Sequence, residues 1–397
     1  MTKLPIYLDY MSTTPVDPIV AGAIRDCLTK KENFGNSASE SHVYGWSARE
    51  LIEKARKSIA KLVNADPKEI VWTSGATESD NLALKGSAFF YHRNGRHVIT
   101  VSTEHKAVLD TCSYLSSKGF EITYLNPKHN GLLDLCEFKN SIRSDTILAS
   151  CMHVNNETGV IQDIAAIGEI TRKYGVLFHV DAAQSVGKIP IDLRRMKVDL
   201  MSFSSHKLYG PKGIGALYVR RTPRVRLEPL IHGGGHENGL RSGTLPTHQI
   251  VGMGVAFSLA QKRMFQDTKK IIRLKNRLWS GLSQIDGVQL NAETAPCIPG
   301  CLNIRFDGIE SESLMVRLQK IAISGGSACD SANPNPSYVL LAMGLGREEA
   351  YNSVRISLGR LTTEEEIDNT ISHIAEQLCH LRRMPSIWEN VKKKLIE

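Results

Sequence analysis

The sequence predicts an α/β fold, with a large unit built on a mainly parallel sheet of seven strands and a smaller α+β unit after it. From about residue 69 to 220, short β-rich runs alternate with longer amphipathic runs, which is typical of strands covered by helices. After about residue 283 that regular alternation stops. The chain has 397 residues, 42% of them hydrophobic, which is enough to form two or three such units.

The alternating region supplies the elements of the large unit. Its predicted strands cover residues 69–73, 97–102, 121–125, 146–152, 176–181, 199–204 and 215–220. Its predicted helices cover residues 78–92, 105–118, 134–142 and 164–174. Polar residues follow several of these strands, and open α/β sheets bind ligands at the carboxyl ends of their strands. We therefore expect the functional site at that edge.

A long helix predicted over residues 247–283 leads into the second unit. The predicted strands of that unit cover residues 301–306, 321–324 and 353–358, and its predicted helices cover residues 311–319, 337–343 and 363–381. We expect the first residues of the chain to pack against it. The predicted large domain then spans residues 16–264, and the small domain combines residues 1–15 with residues 265–397.

Charge and cysteine content argue against several classes of protein. The net charge is +8, but Lys and Arg are scattered apart from short runs such as 219–226, so we expect solvated surface and no direct binding of nucleic acid. RNA or an acidic partner is the alternative that this charge leaves open. Without a membrane-spanning run or a signal peptide, the expected location is the cytoplasm, with no membrane contact. The eight cysteines form no CxxC pair, which argues against a zinc ribbon or a disulfide scaffold.

Asp181 and Lys207 form a pair that predicts pyridoxal phosphate chemistry. Each comes at or just after the end of a predicted strand. A lysine can bind the aldehyde of this cofactor covalently, and a carboxylate can keep its ring nitrogen protonated so that the ring withdraws electrons. A solvated lysine and a capping aspartate are the ordinary structural alternative.

The segment 74–78 suits a phosphate group. It joins a predicted strand to a predicted helix, and the helix N-terminus favours an anion. Ser204 and His206 supply further donors next to Lys207. A helix cap without any ligand explains the same small and hydroxyl residues.

Three further polar residues follow predicted strands. His105 is placed where an imidazole could stack on the cofactor ring and shuttle protons, although a lone histidine is often structural. Asn156 could hydrogen-bond the cofactor hydroxyl or a substrate carboxylate, and Gln184 could do likewise.

The second unit contributes a candidate nucleophile and a candidate carboxylate-binding residue. Cys329 lies in segment 324–336, whose small residues and prolines predict an exposed loop from which a thiol could reach a substrate and then a partner. Arg355 alternates with apolar residues on a predicted strand and could clamp a carboxylate through two hydrogen bonds. A surface ion pair is the alternative for Arg355.

Taken in order, these residues closely resemble the cysteine desulfurases of the class V aminotransferase family, specifically the bacterial housekeeping type (IscS/NifS-like). The resemblance runs over nearly the whole chain, from residue 7 to residue 366. Its longest motifs cover residues 73–81, 103–112, 152–157, 179–188, 199–221 and 232–249.

The resemblance implies the aspartate-aminotransferase fold (fold type I) and a homodimer in which each subunit completes the other's active site. Lys207 would be the cofactor lysine, Asp181 its ring-nitrogen partner and His105 the stacking acid or base. Cys329 would accept sulfur as a persulfide. The residues that would hold the cofactor are Ala76, Thr77, His105, Asn156, Asp181, Gln184, Ser204, His206 and Lys207, with Thr244 from the other subunit. Asn156 and Arg355 would bind the substrate carboxylate.

The implied reaction is the removal of sulfur from L-cysteine, which gives L-alanine and a persulfide on Cys329. The acceptors would be an iron–sulfur scaffold protein and others, including carriers for tRNA thiolation, and Cys329 could transiently ligate an iron–sulfur cluster through the persulfide. The C-terminal tail ends at Glu397, short of the scaffold-docking tail of the housekeeping type. A selenocysteine lyase, another class V aminotransferase and a non-catalytic docking platform are the alternatives.

Overall fold

The computed structural model describes residues 4–29, 33–309, 311–325 and 336–383. Cys329 therefore lies outside the described residues. The strands are β1 (Ile6–Tyr7), β2 (Ile70–Thr73), β3 (His97–Val101), β4 (Glu121–Leu125), β5 (Thr146–Ser150), β6 (Leu177–Asp181), β7 (Leu200–Ser204), β8 (Gly215–Val219), β9 (Val288–Leu290), β10 (Cys301–Phe306), β11 (Ile321–Ala322), β12 (Ser324–Gly325) and β13 (Ser353–Ser357). The α-helices are α1 (Pro18–Thr29), α2 (Val43–Val63), α3 (Ala76–Tyr91), α4 (Lys106–Ser117), α5 (Leu135–Asn140), α6 (Ile164–Tyr174), α7 (Thr247–Leu282), α8 (Ser311–Arg317), α9 (Tyr338–Ala342), α10 (Arg347–Tyr351) and α11 (Glu364–Arg383).

Seven strands form the central sheet, in the order β2-β8-β7-β6-β5-β3-β4. Strands β4, β3, β5, β6 and β7 are parallel in succession, whereas β8 is antiparallel to both of its neighbours. The prediction of a mainly parallel, seven-stranded sheet is confirmed. Because β8 reverses direction, the β7–β8 connection is short and begins at the carboxyl edge, and it carries Lys207.

Both faces of the central sheet are buried, as a mainly parallel sheet requires. Successive side chains of a strand point to opposite faces. On β7, Met201 and Phe203 join the core that includes Phe257 of α7, whereas Leu200 joins the core on the other face together with Leu217. Within the part of the chain that the structure describes, no helix is both long and apolar enough to span a membrane.

The second unit has an antiparallel sheet of order β12-β13-β10-β9 and a core that includes Leu302, Ile356 and Leu378. Strand β1 pairs in parallel with β11, so the start of the chain packs with this unit as expected. Helix α7 joins both cores, because Phe257 packs with the large unit and Leu278 with the small one. The numerical domain boundaries at residues 15 and 264 stay a prediction.

The structure differs from the sequence pattern in two places. Helices α1 and α2 precede the first strand of the central sheet, so they fall outside the strand–helix alternation that identified the other elements. The strand predicted over residues 321–324 is two short strands, because β11 pairs with β1 whereas β12 pairs with β13. The chain thus changes sheets just before the segment that contains Cys329.

Candidate functional site

A cleft of about 890 Å³ lies along the carboxyl edge of the central sheet. Most of the predicted site residues line it, namely Ala76, Thr77, His105, Asn156, Asp181, Ser204, His206, Lys207 and Arg355. The structure therefore brings together side chains that are up to 279 positions apart in the sequence. The N-terminal segment and α9 add Ser12 and Tyr338 to the lining.

One end of the cleft has the donors that bind a phosphate group. Helix α3 begins at Ala76 after Gly75, and its N-terminus has no side-chain capping hydrogen bond. Ala76, Thr77, Ser204 and His206 all line the cleft there. Burial, followed by the charge of Lys207, lowers the pKa of His206 to about 4, so its ring is neutral at physiological pH. Backbone N–H groups at a helix N-terminus together with a hydroxyl and an imidazole suit a dianion.

His105 is the N-cap of α4 and lines the middle of the cleft. Its Nδ1 accepts the backbone N–H of Ala107 at 3.1 Å. A neutral ring with Nδ1 as acceptor carries its proton on Nε2. Burial lowers the pKa of His105, an effect that the charge of Asp181 opposes and that of Lys207 reinforces. His105 is thus held neutral, with one proton available at Nε2.

Asp181 ends β6 and is buried. Its Oδ1 accepts the backbone N–H of Ala183 at 2.8 Å. Burial and the nearby Asp80 raise the pKa of Asp181, whereas the Ala183 N–H, His105 and Lys207 act in the opposite direction. A buried carboxylate of this kind binds a shared proton more tightly than an exposed one, which suits the partner of a basic ring nitrogen.

Arg355 lies on β13 of the small unit and lines the cleft, whereas Asp181 lines it from the central sheet. Its Nη2 donates to Asp9 Oδ1 at 2.7 Å and to Ser12 Oγ at 2.8 Å, and its Nη1 donates to the backbone oxygen of Asn156 at 2.5 Å. The guanidinium is therefore both ion-paired and exposed to the cleft. Arg355 therefore does form an ion pair, but the pair is buried and not at the surface. The carboxylate clamp stays a prediction.

Gln184 and Thr244 are placed differently from the other predicted cofactor residues. The Gln184 amide donates to the backbone oxygen of Met11 at 2.8 Å and accepts from Lys188 Nζ at 3.1 Å. It contacts the N-terminal segment, and it is absent from the described lining of the cleft. Thr244 is exposed and also lies outside this chain's cleft lining. Roles for both in holding the cofactor stay predictions.

Sequence reasoning missed five residues around the cleft. Asp80 and Glu104 are fully buried carboxyls near Asp181, and burial is the main reason that their pKa values are raised. Glu157 Oε2 accepts the Ser337 hydroxyl at 2.5 Å, and the Tyr338 hydroxyl donates to the Glu104 backbone oxygen at 2.7 Å. A signal existed for Asp80, because it is a charged residue at a position that helical spacing groups with Ala83, Leu84 and Ser87 on the buried face of α3.

The residues of the cleft fit pyridoxal phosphate. The side-chain oxygen of Asn156 is buried without a hydrogen-bond partner among the described residues, although Asn156 lines the cleft. The phosphate donors lie at one end, and Lys207, His105 and Asp181 lie within the same cavity. In the described ranges, no group of three or more His, Cys, Asp or Glu side chains is placed to hold a metal ion. Transient cluster ligation by Cys329 stays a prediction outside those ranges.

Comparison with known proteins agrees with this chemistry. The model of the aminotransferase class-V family matches residues 6–370. The cysteine desulfurase IscS of Pectobacterium atrosepticum is 58% identical over 391 residues, which cover 98% of this chain and 97% of that relative. A solved NifS-like protein has a TM-score of 0.88 and 38% identity, and covers 95% of this chain and 100% of its own. A structure of SspA in complex with cysteine has a TM-score of 0.77 and 40% identity, over 90% and 100% of the two chains.

Proposed function

The chain belongs to the class-V aminotransferase family, and on that premise we propose that it is a pyridoxal phosphate-dependent cysteine desulfurase that supplies sulfur for iron–sulfur cluster assembly. The observation that carries the proposal is the single cleft that gathers Lys207, Asp181, His105 and Arg355. The identity of 58% to a cysteine desulfurase over nearly the whole chain supports the reaction type.

Arg355 and Asn156 form the wall of the cleft that would bind the substrate. An L-cysteine carboxylate can take the N–H groups of Arg355 that Asp9, Ser12 and the Asn156 carbonyl leave available, since a guanidinium has five such donors. The Asn156 side chain adds an amide at the same wall. Because Asp9 and Ser12 already fix the guanidinium plane, little rotamer freedom is lost when the carboxylate binds.

Asp181, His105 and Lys207, on the sheet side of the cleft, would carry out the cofactor chemistry and the proton transfers. When bound, pyridoxal phosphate supplies the electron-withdrawing ring that makes the Cα proton of the amino acid acidic. Lys207 provides the amine that anchors the cofactor and exchanges with the substrate amine. The Asp181 carboxylate would keep the ring nitrogen protonated, and His105 offers the proton on its Nε2 to the reacting groups.

Sulfur transfer falls to Cys329, which lies outside the described residues. The C–S bond of L-cysteine breaks and an S–S bond forms between the released sulfur and the Cys329 thiolate. Protons from the two thiols balance the products, which are L-alanine and a protein persulfide. The thiolate is the required form, because a thiol is a poor nucleophile.

The decisive experiment is mass spectrometry of the holoenzyme after incubation with L-cysteine. We expect one added sulfur atom, located on Cys329 by peptide mapping, together with L-alanine. Cys329→Ser should abolish both the added sulfur and the release of sulfide under reducing conditions. Cys136→Ser is the matched control, because Cys136 is an exposed thiol outside the cleft lining and its loss should change neither result. Sulfide release that survives in Cys329→Ser would contradict the assignment of the nucleophile.

We further propose a cytoplasmic homodimer that passes its persulfide to a scaffold protein and other acceptors, including carriers for tRNA thiolation. Exposed apolar side chains near the start of α2 support a protein contact there, since Phe34, Val43 and Trp46 are 63%, 58% and 53% exposed. An apolar group of this kind is typical of interfaces. The assignment of Thr244 to the partner's cleft also depends on the dimer, and sedimentation analysis of the holoenzyme tests it.

A further inference from the structure

Three carboxyl groups lie together beneath the cleft. Asp80 comes from α3, Glu104 follows β3, and Asp181 ends β6. Asp80 and Glu104 are 0% exposed and Asp181 is 6% exposed. The charge of each of Asp80 and Asp181 raises the pKa of another member of the group, so the three are close enough to interact. A buried group of three carboxylates would be strongly unfavourable unless protons or cations neutralise most of its charge.

Contact with the cleft distinguishes Asp181 from the other two. Asp181 accepts a backbone N–H from Ala183 at 2.8 Å and lines the cleft. Glu104 Oε1 accepts the backbone N–H of Met152 at 2.7 Å, but its Oε2 is buried without a partner in the described structure. Asp80 has the Ser202 hydroxyl beside it, which lowers its pKa, but this effect is smaller than that of burial, which raises it. Asp181 and Glu104 each accept one backbone N–H, but of the three only Asp181 lines the cleft, where a ring nitrogen can stabilise its charge. The negative charge is therefore most favourable on Asp181.

The other titratable groups around Asp80 do not supply a fixed positive charge. His179 Nε2 lies 3.5 Å from Asp80 Oδ1, but its Nδ1 is 2.8 Å from Ser150 Oγ and its Nε2 is 3.0 Å from Ser202 Oγ. Burial lowers the pKa of His179 to about 4, so the ring is neutral. Lys207 attracts the charged forms of Asp80 and Asp181, but in the proposed enzyme its amine is bound to the cofactor.

The remaining neighbours are neutral as well. His105 faces Asp181 with a pKa that burial lowers. Cys112 and Cys151 face Glu104, and burial raises the pKa of the Cys112 thiol to about 12 and that of Cys151 well above its ordinary value. Among the described groups that face these carboxyls, only Lys207 can carry a lasting positive charge, and one cation compensates one carboxylate.

We propose that Asp80 and Glu104 are held as neutral acids, so that Asp181 carries the only negative charge of the three-carboxyl group. Asp80 and Glu104 are then positioning residues: they touch neither substrate nor cofactor, but they keep the charge at the one carboxyl that faces the ring nitrogen. The inference deepens the proposed function, because it assigns the charge distribution behind the cofactor. Burial raises the pKa of Asp80 to about 7 and that of Glu104 well above its usual range, and both shifts agree with the assignment.

The test combines infrared spectroscopy with a spectroscopic pH titration of the holoenzyme. In the wild type, we expect the carbonyl-stretch band of a buried protonated carboxyl at pH 6, shifted in deuterium oxide. Asp80→Asn should remove part of that band, and Glu104→Gln another part. As the pH rises through 7 to 9, ionisation of Asp80 should change the absorbance of the bound cofactor. Asp80→Asn should abolish this alkaline transition or move it by about one pH unit or more.

Ser87→Ala is the matched control. Ser87 is about two helical turns further along the same face of α3. Its hydroxyl is buried without a partner in the described residues. This variant should keep both the infrared band and the alkaline transition. If Asp80→Asn and Glu104→Gln both keep the wild-type band, or if the transition is unchanged in Asp80→Asn, the charge assignment is wrong. A wild type without any cofactor absorbance would instead refute the proposed function, while the infrared result would still decide the assignment. Should Asp80→Asn fail to fold, the Glu104→Gln band decides alone.

Discussion

The two walls of the cleft differ in how far their buried charges are compensated. On the sheet wall, Asp181 lies near two other buried carboxyls and has one backbone hydrogen bond for support. On the small-unit wall, the charge of Arg355 is matched by Asp9, and Ser12 and the Asn156 carbonyl complete its hydrogen bonds. Unpaired buried acids have shifted pKa values and can hold or release protons, whereas a paired arginine stays charged and rigid. The comparison assigns proton chemistry to the first wall and substrate orientation to the second.

The largest expected effect comes from removing the amine of the sheet wall. Lys207→Ala should abolish the absorbance of the covalently bound cofactor and lower activity by about 10⁴-fold or more, because both the anchor and the amine that exchanges with the substrate are lost. Absorbance spectra before and after borohydride reduction, together with alanine release, measure both effects. Lys173→Ala, at the exposed end of α6, is the control and should match the wild type. Unaltered colour in Lys207→Ala would exclude Lys207 as the anchor.

A substitution in the small-unit wall should change substrate binding more than turnover. Arg355→Lys keeps the charge but removes the planar donor set, so we expect KM for L-cysteine to rise about 10- to 100-fold, with a smaller change in kcat. Steady-state kinetics separates the two parameters. Arg305→Lys, on β10 of the same unit with ion pairs to Asp307 and Glu349, is the matched control. A variant that loses kcat while KM stays constant would contradict a binding role.

The smallest expected effect concerns Glu157, which joins the two walls through Ser337. Burial raises the pKa of Glu157 from 4.5 to about 7. The folded state therefore binds this proton more tightly than the unfolded state, so the stabilising contribution is complete below about pH 4.5 and is lost as the pH rises to about 7. The loss amounts to about 3 kcal/mol. Glu157→Gln cannot titrate, so its free energy of unfolding should fall less over this range.

Urea unfolding at several pH values between 4.5 and 8 measures the difference between the wild type and Glu157→Gln. Buried His153 and His179 act in the opposite direction, since burial lowers their pKa values to about 4, but they do so equally in both proteins. Glu169→Gln, on an exposed position of α6, controls for the loss of one carboxylate. Parallel stability curves for the wild type and Glu157→Gln would show that the Glu157 carboxyl is not perturbed by folding.

Much of the sheet wall could be predicted from the sequence. Asp181 and Lys207 lie at or just after the ends of strands whose β-rich runs are bounded by polar residues. Parallel strands all end at the same edge of their sheet, so both residues were expected there. All seven strands of the central sheet were found this way. Asp9 and Ser12 could not be found, because they reach Arg355 only through the pairing of the N-terminal segment with the second unit, more than 340 positions away. Gln184 shows the converse, since a strand-end position did not place its side chain in the cleft.

The sequence by itself determined the α/β class, the family and the residues able to anchor a cofactor, because periodicity and short motifs are local properties of the chain. The tertiary structure decided which charges are compensated. Arg355 is paired with the Asp9 carboxylate on its own wall of the cleft, whereas Asp80 and Glu104 are buried near Asp181 and have no cation paired with them among the described residues. The physical reason is that desolvation and charge pairing depend on distances between segments that are remote in the sequence, and these distances are fixed only when the two units pack together.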